Sequence, residues 1–360
     1  MDIDEDQEPE YPLDSKSYII SEEIGRGTST IVYRAFCEPM NTYVAIKSIN
    51  LDKSLTDFDS IMCTPTLNHP NILNSHCTFI AADNKIWVVM PLMSAGSLQS
   101  LMSRSFPTGL PESHIYIFLK QTLNLLSYLH SMEILNMELK AGNILVDLNG
   151  TFKFSDFGLW CSSRRKMKNI NGNPYWIAPE LIESNDGYSM KSDIWSFGIL
   201  ALELAHGKAP LSDIPMSKSM NKKINQRFSC SNYKENDHDI TFSKKFKSLV
   251  KKCLKLNPEK RPTLKMLRKH RFFKRYKSTN YQVDKMFELS TKITYGEEED
   301  DEEEEEKWDV VHGWNLNVDI MKLFPFYSDK IIETEMDKRQ VQFGDITVFG
   351  TSCGNTYLAT

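Results

Sequence analysis

The hydrophobic period of this chain switches from strand-like to helical near residue 95, and that switch limits its possible folds more than any other feature. From 18 to about 91 the apolar residues fall into strand-like runs: YIISEEIG, STIVYRAF, TYVAIKSIN, NSHCTFIAA and KIWVVMPLM. Gly, Asn-Thr and Asp-Asn turn signals separate them, so each run predicts a strand. From about 97 to 133 the repeat becomes helical, with Ile115, Ile117, Phe118, Leu123, Leu125, Leu126 and Leu129 on one apolar face. Short strands over 134–155 come next, and helical patterns then run to 275. A strand-rich first quarter joined to a larger helical part predicts an α+β chain in two lobes, 18–91 and 94–273.

Outside these lobes the composition shifts. Residues 1–17 read as a short solvated tail, 274–307 as a linker, and 308–360 as a C-terminal tail. The net charge of −5 conceals an asymmetry, because ten consecutive acids, Glu297 to Glu306, leave the rest of the chain net basic by five. The Lys/Arg residues around 244–276 read as solvated helix faces, and no nucleic-acid partner is expected. Seven scattered cysteines, none spaced C-x-x-C, argue against a disulfide framework or zinc site and fit the cytoplasm or nucleus. The acidic start, MDIDEDQEPEYP, is unlike a signal peptide, and no apolar stretch reaches membrane-spanning length.

The chemistry-bearing motifs come in a fixed order. In IGRGTSTIVYRA, Gly25 and Gly27 let the backbone approach a phosphate closely, with Thr30 where a third glycine is usual. VAIK follows at 44–47, on an alternating strand that points Lys47 inward. LKAGN at 139–143 and DFG at 156–158 supply Asn143 and Asp156, hard oxygen donors suited to Mg²⁺. APE at 178–180, SDIWSFG at 192–198 and RPT at 261–263 complete the series.

Over residues 18–273 this order resembles the eukaryotic protein kinases. PYWIAPE, WVVMPLMSAGSL, SFPTGLPE and ALELAHGKAP are similar to the sterile-twenty, or germinal-centre, group. More narrowly they resemble its plant branch, which includes the guard-cell blue-light-signalling kinase. The resemblance implies a two-lobed protein-kinase fold that binds ATP and Mg²⁺ between its lobes. It places nucleotide at Ile24, Gly25, Gly27, Val32, Ala45, Lys47, Met90 and Met93, and metal at Asn143 and Asp156. Glu138 and Lys140 occupy the catalytic positions. Glu180 and Arg261 should form a buried ion pair, and Asp193 should anchor the catalytic-loop backbone.

The departures from the pattern are specific. His-Arg-Asp is replaced by Asn136-Met137-Glu138. The carboxylate survives one methylene longer, while the guanidinium that grips a phosphorylated activation loop is gone. Spacing puts the acid that pairs with the strand lysine at Thr64, beside the helix-breaking Pro65, in a segment about four residues short. Asp59 is the substitute after a register shift. The activation segment, 156–180, contains no threonine, and Asn173 stands at the usual threonine. Ser162 and Ser163 remain as acceptors beside a basic stretch, 164–168.

In the tail, the acidic run reads as a solvated linker or as a mask for the basic second lobe or activation loop. WDVVHGWNLNVDIMKLFPF presents Trp308, Trp314 and Leu316, which predicts docking on the chain's own domain or on a partner. Three functions remain open. The chain is an ATP-binding pseudokinase partnering an active relative, a weak serine/threonine kinase with Glu138 as base, or an interaction module that binds no nucleotide.

Overall fold

The structure, a computed structural model, describes residues 10–27, 30–50, 67–81, 85–136, 138–155, 161–162, 175–183, 188–212, 242–274, 340–343 and 346–349. The chain divides into two compact units, Met1–Asp309 and Val310–Thr360. In the second unit, strands Gln340–Phe343 and Ile346–Phe349 pair antiparallel.

All five strand-like runs of the first lobe are strands: β1 Tyr18–Arg26, β2 Thr30–Cys37, β3 Thr42–Asn50, β4 Cys77–Ile80 and β5 Lys85–Pro91. They form one antiparallel sheet in the order β1-β2-β3-β5-β4. One face closes over Tyr18, Ala35, Cys37, Val44, Ile46 and Val89, with Phe79 and Trp87 packed against them. Asn41, at φ 48°, completes the β2–β3 turn in a conformation that Asn tolerates better than most residues. The stretch before β1, read as tail, is joined to this lobe from Tyr11 onward. Tyr11 stacks on His76 at 3.9 Å, and the Pro12 carbonyl accepts a 2.7 Å bond from the Tyr18 hydroxyl.

The second lobe begins with β6 (Gly96–Ser97), then α1 (Leu98–Ser105) and α2 (Glu112–Ser131). The helical pattern over 97–133 is thus two helices. Pro107, Gly109 at φ 103° and Pro111 interrupt it, and Leu110 N–H donates to the Leu204 carbonyl at 2.7 Å. Strands β7 (Ile134–Leu135), β8 (Ile144–Val146), β9 (Phe152–Phe154) and β10 (Cys161–Ser162) follow, with β6-β8-β9 and β10-β7 forming small sheets. Next come α3 (Glu180–Glu183), α4 (Met190–His206), α5 (Lys244–Cys253), α6 (Leu264–Arg268) and α7 (Arg271–Lys274). Every residue of α4 from Ser192 to Ala205 is buried, as expected of a helix apolar on all sides and central to its lobe. A Cβ on Gly198 would lie 2.8 Å from the Cys253 Cβ, so glycine sets how closely α4 and α5 approach.

Arg261 pins the base of this lobe. Its guanidinium, fully buried, donates to both Glu180 carboxylate oxygens at 2.6 Å. Nε and the two Nη atoms also reach the Lys255, Lys191 and Leu256 carbonyls at 2.8, 2.9 and 3.1 Å. The group lies 5.1 Å from the Trp195 ring centroid. A planar fork with five donors satisfies this set; an ammonium cannot. Arg261→Lys is therefore expected to destabilise the domain by about 3 kcal/mol, by analogy with a broken buried pair. Urea unfolding of the two proteins measures this, and equal midpoints would contradict the assignment.

Candidate active site

Strand register brings the nucleotide-binding candidates together. Val32 pairs with Gly25 on one side and Lys47 on the other, and Ala45 pairs with Met90. Paired residues and their i+2 neighbours share a sheet face, so Val32, Ala45, Lys47 and Met90 project the same way. Met93 is buried just beyond β5, where its carbonyl accepts from Gly96 N–H at 3.0 Å. Ile24 is 46% exposed at a register shift in β1. A Cβ on Gly25 would meet only ordinary contact with Val32, at 3.6 Å, so what glycine spares is space above the shared face. Small residues, an apolar floor and one lysine fit a planar base with phosphates beyond it.

At Gly27 the N–H donates to the Thr30 carbonyl at 2.7 Å. A Cβ there would lie 2.6 Å from Thr30 Oγ1. Glycine is thus required by Thr30, the residue standing at the third-glycine position, and the hairpin closes on itself.

The catalytic loop leaves β7 at Asn136 and ends in the 3-10 turn Ala141–Asn143. Asn136 is buried, and its N–H donates to Asp193 Oδ2 at 3.1 Å, the backbone anchor that the family resemblance implied. The Asn136 Oδ1 accepts from Glu138 N–H at 3.3 Å. The Glu138 side chain turns back into its own loop. Its Oε2 accepts from Asn143 Nδ2 at 3.2 Å and lies 3.7 Å from Lys140 Nζ. Asn143 Nδ2 also donates to the Glu138 carbonyl at 3.0 Å, which leaves Oδ1 on the other arm of the amide. Ser155 N–H donates to the Asn143 carbonyl at 2.8 Å, holding the chain entering Asp156 beside Asn143. Asp156, Met137, Asn173 and the segment with Asp59, Thr64 and Pro65 lie outside the described residues, as do Ser163 and residues 164–168.

Two residues that support the loop were missed. Glu203, fully buried on α4, accepts at one oxygen, Oε2, from Ala141 N–H at 3.0 Å and Trp176 Nε1–H at 2.8 Å. The readable signal is a lone acid inside the apolar stretch GILALELA. His130 Nε2 lies 2.7 Å from Asp193 Oδ2. Burial drives the Glu203 carboxyl up to about 7, against opposing effects of the Ala141 and Trp176 bonds and the Lys140 charge.

Residues 18–273 match the protein kinase domain family. The chain belongs to the protein kinases. This kinase domain is 39% identical to serine/threonine-protein kinase fray1 of Dictyostelium discoideum, over 76% of this chain and 49% of the relative. It is 38% identical to fray2 of the same organism, over 76% and 27%. Germinal center kinase 3 of Caenorhabditis elegans is 36% identical, over 77% and 50%. The chain therefore spans about half the length of two of these relatives and about a quarter of the third. It is a serine/threonine-kinase-like protein of the germinal-centre, or sterile-twenty, type. The predicted two-lobed fold is the one observed.

The Glu203 carboxyl predicts a pH dependence with a definite sign. A carboxyl raised in the folded state stabilises fully below its unfolded pKa, near 4.5, and loses that contribution as pH climbs through about 7. The shift corresponds to about 3 kcal/mol. Glu203→Gln keeps an acceptor oxygen for both donors and carries no charge. The variant is expected to gain on wild type between about pH 5 and pH 8 in urea midpoints; parallel profiles would overturn the reading.

Proposed function

We propose that this chain is a sterile-twenty-type pseudokinase that binds Mg-ATP and acts as a scaffold or allosteric partner, the fitting partner being an active related kinase. The observation that carries this is the Glu138 carboxylate, bonded by the Asn143 amide and beside the Lys140 ammonium. The extra methylene lets the side chain reach back to groups that an aspartate would leave to metal and phosphate. A base so engaged accepts an acceptor-hydroxyl proton poorly. General-base assistance contributes roughly 10²–10⁴-fold, and about 1 Å of misplacement can cost about 10²-fold. Loss of the switch-reading arginine to Met137 points the same way.

Nucleotide binding rests on the residues that remain in place. Mg-ATP, when bound, supplies the transferable phosphoryl group; catalysis is otherwise positioning and charge stabilisation. The face shared by Val32, Ala45 and Met90 receives the base, and Lys47 orients the phosphates. Asn143 Oδ1 and Asp156 suit the metal. The plant branch, supported by motifs such as PYWIAPE, and a cytoplasmic or nuclear setting belong to the same proposal.

A second reading, slow serine/threonine kinase activity with Glu138 as base, draws on the intact anchoring of the loop at Asp193 and Glu203. Two measurements decide. Saturating Mg-ATP, at about 100-fold over Kd, is expected to stabilise the wild type by about 2.7 kcal/mol in thermal melts, and Lys47→Met to abolish the shift. No shift in wild type leaves an interaction module alone. Radiolabel transfer from wild type should equal that from Glu138→Ala and Lys47→Met. A signal that vanishes in both variants sinks the pseudokinase.

A further inference from the structure

The surface of α5, α6 and α7 is charged with one sign. On α5, Phe246, Leu249, Val250 and Cys253 face the core. The opposite arc carries Lys244, Lys245, Lys247, Lys251 and Lys252, all exposed. The stretch Leu264–Lys274 adds five more exposed cations, and Glu259 is the one acid between Phe242 and Lys274. Helix α5 packs against α7 and the residue leading into it. Phe246 and Phe272 rings lie 5.6 Å apart, and Ser248 Oγ is 3.4 Å from His270 Nε2. Burial, and then the Lys252 ammonium, push the His270 imidazole below its usual pKa, as expected where positive charge is not offset. The buried Arg261 is already satisfied by Glu180 and does not contribute to this surface.

Helical lysines are often simply solvated. Two facts set these apart. No exposed acid is interleaved on the α5 arc, where i,i+4 pairing would normally place one. The chain also holds the complementary charge: ten consecutive acids, Glu297–Glu306, follow Lys274 after twenty-two intervening residues. An extended chain covers about 3.3–3.6 Å per residue, so that length reaches any point on the α5–α7 surface. Tethering at such a distance gives an effective concentration of about millimolar, which favours the chain's own acids over a dilute acidic partner.

We propose that the lysine face of α5–α7 is a docking surface for an acidic polypeptide, and that its occupant is the chain's own Glu297–Glu306 run. The contact is multivalent and electrostatic, so it weakens as salt shortens the Debye length, about 10 Å at 0.1 M. Occupied in cis, this face is closed to anionic membranes and to acidic segments of other proteins.

The test uses the full chain and a fluorescent peptide copying residues 295–308. A chain with all ten acids replaced by Gln or Ser is expected to bind the peptide at least about tenfold more tightly than wild type at low salt. The difference should shrink at about 0.3 M salt. Lys247→Glu, Lys251→Glu and Lys252→Glu together, in the neutralised chain, should abolish binding at unchanged melting temperature. A peptide with lysines in place of its acids should then bind that reversed surface. Equal binding to wild type and neutralised chain, or binding that survives the triple reversal, overturns the proposal. Self-association of wild type that is lost on neutralising the run assigns the acids to a second copy and overturns the cis contact. Equal capture of both chains by phosphatidylserine vesicles assigns the face to membranes instead.

Discussion

Asp193 is completely buried, and a carboxylate in that setting is tolerable only when its oxygens are met. Oδ2 takes the Asn136 N–H and lies 2.7 Å from His130 Nε2; Oδ1 takes the Tyr188 hydroxyl at 3.0 Å. Those three partners come from the catalytic loop, the end of α2 and the approach to α4. One side chain therefore fixes the approach to its own helix against the end of α2 and the catalytic loop, about sixty residues earlier in the chain. Burial and the neighbouring Asp193 in turn raise the Tyr188 phenol well above its usual pKa, so it remains a donor. Glu203, two helical turns and more along α4, repeats the device on the far side of the same loop. Both acids of the central helix, Asp193 and Glu203, are spent on holding the loop.

This arrangement explains how the catalytic loop keeps its shape while its side chains change. Asn136 replaces the expected histidine, yet the group bonded to Asp193 is the backbone N–H, which every residue but proline carries. Support for the loop and chemistry at the loop are thus held by different atoms. The first can persist while the second is lost, and Glu138 shows the result: an acid in the right place in the chain, turned toward Asn143 and Lys140.

The strands were legible because β-branched and aromatic runs with turn signals leave few alternatives, and the register then aligned Val32, Ala45, Lys47 and Met90 without further information. Helix ends were less legible. The apolar period continues through Phe106 and Leu110 and masks the break made by Pro107, Gly109 and Pro111, which the Leu110–Leu204 bond then holds against the end of α4. At Gly27 the Gly-x-Gly spacing states that the backbone is accessible, and the fold adds that its N–H meets the Thr30 carbonyl. Glu203 announced itself by composition, as a lone charge in an apolar helix; its partners, Ala141 and Trp176, lie far from it in sequence and could not be read there.

The segment ahead of β1 carries a practical consequence. Family matching begins at Tyr18, yet the Tyr18 hydroxyl donates to Pro12, and the Cys77 thiol lies 3.8 Å from that same carbonyl. Tyr11 covers the ring of His76 with the two planes within 11° of parallel. A truncation cut at the homology boundary would strip an acceptor from the buried Tyr18 side chain and remove the ring stacked on His76. The edge of the family match and the edge of the folded body are different residues, and the folded body begins at or before Tyr11.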